Sequence, residues 1–341
     1  MFRYSHFEKI FQSGLHVNRS FPKPLSAVRW MATITTGVNQ YDNPQLAAAK
    51  PFEEIPCLPS LPIIGSAWIY MPLIGRYKLS RQHLADRHKH AVYGDIVREK
   101  IGSFNVVHTF VPEVMEILCK HEGQYPSRGE LSTIKAYREY RKEWYKSGGV
   151  MVLQGKEWWD LRSKTQKHMM KPKTIQSYLF PMQDVASDFV KRMYSLRDSN
   201  KEVPHFLEEL YKWALESVAF VGLDTRLGCL NSNLPEDSDG MKMIDSVQTQ
   251  FYCMNRLEAF TGNIQFWKYF PTPTWKKFVK ASDVFTEIAF KYINQALERL
   301  KEDSLEDKEL TMLQSMLLTK GLDVSGTMVT AADMLMAGID T

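Results

Sequence analysis

Apolar residues recur at helical spacing along most of the chain, and one short stretch alternates like a pair of strands. Val284, Phe285, Ile288, Ala289, Tyr292, Ile293, Ala296, Leu297 and Leu300 form a stripe with charged side chains on the other face. That period predicts an amphipathic helix. Val185, Phe189 and Met193 follow the same spacing, as do Leu207, Leu210, Tyr211, Ala214 and Val218. Residues 78–92 read as a helix that ends near Gly94, and residues 112–120 as a shorter one opened by Pro112. Residues 95–101 and 104–110 read as strands, joined by Gly102-Ser103, a two-residue loop suited to a type II′ hairpin. Pro56, Pro59 and Pro62 fix φ and disfavour helix beside them, which predicts a stiff, extended hinge packed against the body. Residues 231–240 read as a polar, acidic loop and residues 267–273 as a break. There is no βαβ alternation and no internal repeat. The expected fold class is mainly α with a small N-terminal β-sheet.

Charge divides this pattern into a leader and a body. Arg3, Lys9, Arg19, Lys23 and Arg29 face one acid, Glu8, within residues 1–36, and they account for the whole formal net charge of +4. Ser5, Ser13, Ser20 and Ser26 accompany them, and Phe7, Ile10, Phe11 and Leu15 fall near helical spacing. Basic, Ser-bearing and acid-poor composition of this kind marks a mitochondrial transit peptide. Residues 37–50 read as a linker and residues 51–341 as the folded body. The most apolar stretch, residues 61–75, is broken by Pro62 and Pro72 and is shorter than the roughly 20 residues a membrane span requires. The body carries equal numbers of basic and acidic side chains, so net charge gives no support for nucleic-acid binding. A chain that is 44% apolar and 24% charged is not disordered. Cys57, Cys119, Cys229 and Cys253 are too far apart for a paired-cysteine zinc site or a disulfide scaffold.

Candidate chemistry is sparse. His83, His88 and His90 lie among Arg81, Arg87 and Lys89 and read as a solvated basic helix. Tyr137, Tyr140, Trp144 and Tyr145 interleave with Arg138, Arg141, Lys142 and Lys146, a pattern that can stack bases, but Glu139 and Glu143 dilute the charge. An amphipathic surface helix is the expectation there. Trp158 and Arg162 stand four apart, so on a helix their indole N–H and guanidinium point the same way. Two such donors suit a buried carboxylate; the alternative is an Arg packed over an indole. Leading into and through residues 330–341, Met328, Ala331, Leu335 and Ile339 set an apolar face that runs into Ala337-Gly338-Ile339-Asp340-Thr341. Glycine costs a helix about 1 kcal/mol relative to alanine, which suggests that something bulky approaches the backbone at Gly338. Asp340 and Thr341 beside that gap offer a carboxylate and a hydroxyl for proton relay. The alternative is an ordinary helix C-terminus.

Taken in order, these residues resemble the cytochrome P-450 family, the haem-thiolate monooxygenases, over about residues 50–341. The 337–341 segment looks like the family's oxygen-binding motif, and Trp158-x-x-x-Arg162 like the helix that holds a haem propionate. The proline hinge and the hairpin fall in the order the family expects; the basic leader, the lack of a membrane-spanning stretch, and the segments 52–56 and 223–228 point to its mitochondrial branch. The resemblance implies haem as cofactor and O2 as co-substrate. Trp158 and Arg162 would anchor propionates, Gly338 would make room for dioxygen, Thr341 would hydrogen-bond the oxygen, and Asp340 would help deliver protons. It also implies electrons from a ferredoxin and its reductase, a lipophilic substrate that is sterol-like or xenobiotic, and a place on the matrix side of the inner membrane with peripheral contact. No Glu-x-x-Arg is present, and no cysteine stands in a Phe-x-x-Gly-x-x-x-Cys loop, so no residue here is the expected iron ligand. The thiolate favours O–O cleavage. The expectation is therefore a C-terminally truncated P-450 fold, an N-terminal fragment inactive by itself. The alternative is a non-catalytic helical mitochondrial fragment that binds partners or lipid.

Overall fold

The computed structural model describes residues 50–102, 104–127, 129, 131–259, 265–302 and 311–341. The leader, residues 1–36, and all but the last residue of the linker lie outside the described residues. The chain divides into two compact units, residues 1–123 and 124–341.

In the first unit, α1 (Gln82–Tyr93) leads to the strands β1 (Ile96–Ile101) and β2 (Phe104–Thr109), followed by α2 (Pro112–His121). The strands pair antiparallel, from Ile96 opposite Thr109 to Ile101 opposite Phe104. Gly102 turns the hairpin at φ +59°, a conformation open to a residue without a Cβ. The apolar contacts of Leu58, Ile69, Tyr70 and Val97 hold this unit together. The proline segment packs against the body as its apolar interleaving predicts. The Arg98 N–H donates to the Pro56 carbonyl at 2.7 Å and the Leu58 N–H to the Arg98 carbonyl at 3.0 Å, so it docks along β1. Prolines that cannot donate are tolerated on such an edge.

The basic reading of α1 needs a correction. Lys89 is fully buried and its Nζ lies 2.8 Å from Glu99 Oε2 of β1. His108 Nε2 lies 2.8 Å from the same oxygen, and the Tyr77 hydroxyl bonds His88 Nδ1 at 2.8 Å. Local charge density marked α1 as solvated because the compensating carboxylate belongs to the following strand.

The second unit is helical: α3 (Ser132–Tyr140), α4 (Gly149–Val152), α5 (Gly155–Met169), α6 (Pro172–Ser177), α7 (Leu179–Leu196), α8 (Phe206–Leu223), α9 (Asp239–Ala259), α10 (Pro273–Glu302), α11 (Met312–Leu317) and α12 (Val324–Asp340). The pair α9 and α10 packs together, and α12 packs against α4, α8, α9, α10 and α11. Accordingly α12 is buried on several sides: Val329, Ala331, Ala332, Leu335, Met336 and Ile339 are in the core, as are Thr330 and Asp333. Its start is set by Asp323, which accepts the Gly326 N–H at 2.8 Å, an N-cap. Thr311 and Gln314 form a capping box on α11.

Here α3 overturns the expectation of a surface helix. Ile134, Tyr137 and Arg138 are buried, with Tyr145 beyond its end. Arg138 pairs with Asp333 and Arg141 with Asp283. Those acids lie 195 and 142 residues downstream, so no local charge pattern could announce them. No described helix is long and apolar enough to cross a membrane.

Candidate functional site

The Trp158–Arg162 pair sits on α5 as the spacing requires, both side chains half-buried. The helix is tied to the turn before α12. Lys164 Nζ donates to the Gly321 carbonyl at 2.8 Å, and His168 Nε2 lies 2.6 Å from Thr319 Oγ1. The short α4 and α11 each pack against both α5 and α12, so the two sets of expected site residues belong to one packed assembly on different helices. Among the described residues, no carboxylate pairs with the Arg162 guanidinium. A half-buried guanidinium with no internal counter-ion suits an external anion.

At the end of α12, the Thr341 N–H and Oγ1 both donate to the Ala337 carbonyl, at 3.2 and 2.6 Å. Asp340 is exposed beside it. Burial by its neighbours pushes the Asp340 carboxyl above its ordinary value, and a hydrogen bond from Tyr211 of α8 pulls it back in part. The bulky group that approaches Gly338 is Val218: a Cβ at position 338 would lie 2.6 Å from Val218 Cγ2. Gly338 therefore serves the close packing of α12 on α8, and the backbone group that Thr341 addresses is that of Ala337.

A third cluster, not singled out from the sequence, is buried between α3 and α12. Arg138 donates to the Asp333 carboxylate and to the Gly148 carbonyl. Burial raises the Asp333 carboxyl, while Arg138 and the Met151 and Val150 N–H groups oppose the rise. Gly149 makes the arrangement possible. It sits at φ +66°, and a Cβ there would stand 2.6 Å from both Arg138 Nη1 and Asp333 Oδ2. In the sequence, the signal was an acid on the apolar side of a buried helix, Asp333 between Ala332 and Leu335.

The residues present fit a haem in part. Trp158 and Arg162 offer two donors to a propionate, and α12 offers its Ala337–Thr341 end. The thiols of the helical unit are poorly suited to bind iron. Burial pushes the Cys229 and Cys253 thiols up, Glu216 adding to the rise at Cys229, and a protonated thiol is a poor ligand. Cys57 and Cys119 belong to the first unit. Among the described residues, no group of three His, Cys, Asp or Glu could hold a metal ion.

Comparison with known proteins agrees with this geometry. The family model for cytochrome P450 matches residues 59–341. "Probable cytochrome P450 301a1, mitochondrial" of Drosophila melanogaster is 35% identical over 300 residues, covering 86% of this chain and 54% of that protein. The ecdysone 20-monooxygenase of the same fly is 30% identical over 295 residues, 84% of this chain and 54% of that protein. The mitochondrial 1,25-dihydroxyvitamin D(3) 24-hydroxylase of Rattus norvegicus is 32% identical over 243 residues, 71% of this chain and 45% of that protein. The chain thus spans about half the length of these curated relatives. With the Trp158–Arg162 helix, the Ala337–Thr341 segment and a family match that covers both, the chain belongs to the cytochrome P450 family.

Proposed function

We propose that this chain supplies the propionate-binding and oxygen-side elements of a mitochondrial haem-dependent monooxygenase that acts on a lipophilic small molecule. The observation that carries the reading is the pairing of an uncompensated Arg162 with Trp158 on α5 and a hydroxyl-bearing end on α12, within one packed unit. Bound haem would supply oxygen activation at its iron, with a ligand that is not among the four cysteines described. Arg162 and the Trp158 indole N–H would hold the propionates. Thr341 Oγ1, with its proton directed to the Ala337 carbonyl, keeps lone pairs to accept from an oxygen-bound proton. The Asp340 carboxyl, shifted upward by its neighbours and hydrogen-bonded by the Tyr211 hydroxyl, stands next to Thr341 as the acidic group for proton delivery.

The relatives' names support the rest. Two are called mitochondrial, and two are named for hydroxylation or monooxygenation; the leader at residues 1–36 has the composition of a transit peptide. Exposed Lys156, Lys167, Lys171 and Lys173 along α5 and α6 suit an acidic electron donor such as a ferredoxin served by its reductase. Burial and the charges of Lys171 and Lys167 lower the His168 pKa, which registers the same basic field. In the first unit, exposed Ile63, Leu73 and Ile74, followed by Arg76 and Lys78, suit peripheral contact with the matrix face of a membrane.

Isotope labelling tests the reaction. Haem-loaded protein in which this chain is joined to the segment that supplies the iron ligand, given ferredoxin, reductase and a lipophilic substrate under 18O2, is expected to place one labelled oxygen atom in the product and the other in water. Product oxygen drawn from solvent, or electron consumption without labelled product, would overturn the reading.

A further inference from the structure

The helix that carries Trp158 and Arg162 has a narrow seat. Leu161 and Thr165 are the buried positions of α5. At about 100° per residue, Trp158 and Arg162 lie about 60° to one side of that buried line, and Lys164 and His168 about 60° to the other. Thr165 spends its hydroxyl on its own helix, donating to the Leu161 carbonyl at 3.2 Å. Apolar contact along such a line is non-directional, so it holds α5 down without fixing its roll about its own axis.

Two directional bonds on the Lys164–His168 side can fix it. Lys164 Nζ donates to the Gly321 carbonyl at 2.8 Å. Gly321 stands at φ +80°, and a Cβ there would lie 3.3 Å from Lys164 Nζ, so the glycine serves both the turn and the close approach of the lysine. The Thr319 hydroxyl donates its one proton to the Ser315 carbonyl at 2.8 Å. It therefore accepts from His168 Nε2, 2.6 Å away. Burial and the charges of Lys171 and Lys167 lower the His168 pKa, so at neutral pH the ring is neutral and carries its single proton on Nε2. The receiving turn is itself bonded: the Thr319 N–H donates to the Met316 carbonyl and the Leu322 N–H to the Thr319 carbonyl, both at 3.1 Å. Asp323, the N-cap of α12, follows directly.

We propose that Lys164 and His168 are positioning residues: their bonds to Gly321 and Thr319 lock the roll of α5 and so aim the Trp158 indole and the Arg162 guanidinium at one anion. The proposal deepens the propionate-binding reading and rests on it. Side chains reach about 5–6 Å from a helix axis, so a roll of about 20° would carry the two donors by about 2 Å. That displacement exceeds the roughly 0.5 Å spread of N–H···O distances, and both bonds to a propionate would be lost together.

Hemin and hemin dimethyl ester, titrated into the full chain and followed by Soret absorbance, test the proposal, with urea unfolding read alongside. The unaltered protein is expected to favour hemin about tenfold. Thr319→Val and Lys164→Met should each cut that preference to about threefold, through weaker hemin binding with ester binding unchanged. His168→Leu should do the same, whereas His168→Gln keeps an Nε2–H donor and should restore the preference. The 15N shifts of His168 in the unaltered protein should report the Nε2–H tautomer at neutral pH. A preference unchanged in both Thr319→Val and Lys164→Met, with stability alone falling, would make the bonds structural only and overturn the proposal. Equal weakening of hemin and ester, loss of the preference in His168→Gln, or an Nδ1–H tautomer would overturn it too. Equal affinity for hemin and ester in the unaltered protein would overturn the propionate reading and the proposal with it, so the two failures are told apart.

Discussion

A Cβ added at Gly338 would meet Val218 Cγ2 at 2.6 Å and Val218 Cβ at 2.8 Å. Valine is stiff at χ1, so the clash has little room to relax. Gly338→Ala would gain about 1 kcal/mol of helix propensity against an overpacking cost of about 1–3 kcal/mol. The expected result is a net loss of stability in urea unfolding, recovered when Val218→Ala is added. A stabilised single variant would show that α12 and α8 are not in close contact there. The same residue shows what the sequence could carry. A glycine inside an apolar stripe announces a close approach, but the identity of the approaching group lies on a helix more than a hundred positions earlier. Asp340 and Thr341 were legible as a polar end to α12, whereas Tyr211, which bonds Asp340, falls in an apolar stripe and reads as core.

Between elements, buried charge organises the packing. In the first unit, Lys89 of α1, Glu99 of β1 and His108 of β2 share one site, with Asp86 at 3.3 Å from the lysine. Burial alone would raise the Glu99 carboxyl, but hydrogen bonds and charge from His108 and Lys89 outweigh it and hold the group below its ordinary value. A carboxyl lowered by folding contributes stability that is present above its unfolded pKa, about 4.3, and is lost as pH falls through the folded value. Unfolding free energy is therefore expected to fall on acidification below about pH 4.3, with the steepest part of the slope removed in Glu99→Gln. That variant also takes from buried Lys89 its closer carboxylate, leaving Asp86 at 3.3 Å, and should cost about 1–3 kcal/mol at neutral pH. Matching pH profiles for the two proteins would remove Glu99 from the account. The helices themselves were legible from periodicity: α1, α2, α7, α8 and α10 fall where apolar spacing and Pro112 place them, and the hairpin where Gly102 does. The role of α3 was not, because an amphipathic-looking segment becomes core only when Asp283 and Asp333 arrive from distant helices.

At the scale of the molecule, the family was legible because its motifs are short and local: Trp158 with Arg162 on one helix face, and the Ala337–Thr341 run on another. Their assembly through α4 and α11, and the Arg138–Asp333 pair behind them, depend on long-range packing that composition and period do not encode. The four cysteines are dispersed in sequence, and burial pushes the thiols of Cys229 and Cys253 up. The central claim is that Trp158 and Arg162 receive a haem propionate. Its most direct measurement is the titration of the protein with hemin and with hemin dimethyl ester, followed by Soret absorbance. Hemin is expected to bind about tenfold more tightly than the ester, since a charge-assisted hydrogen bond contributes about 1.5–3 kcal/mol, and Arg162→Ala should bring the two affinities together. Equal affinity for hemin and its ester, or an unchanged preference in Arg162→Ala, would contradict it.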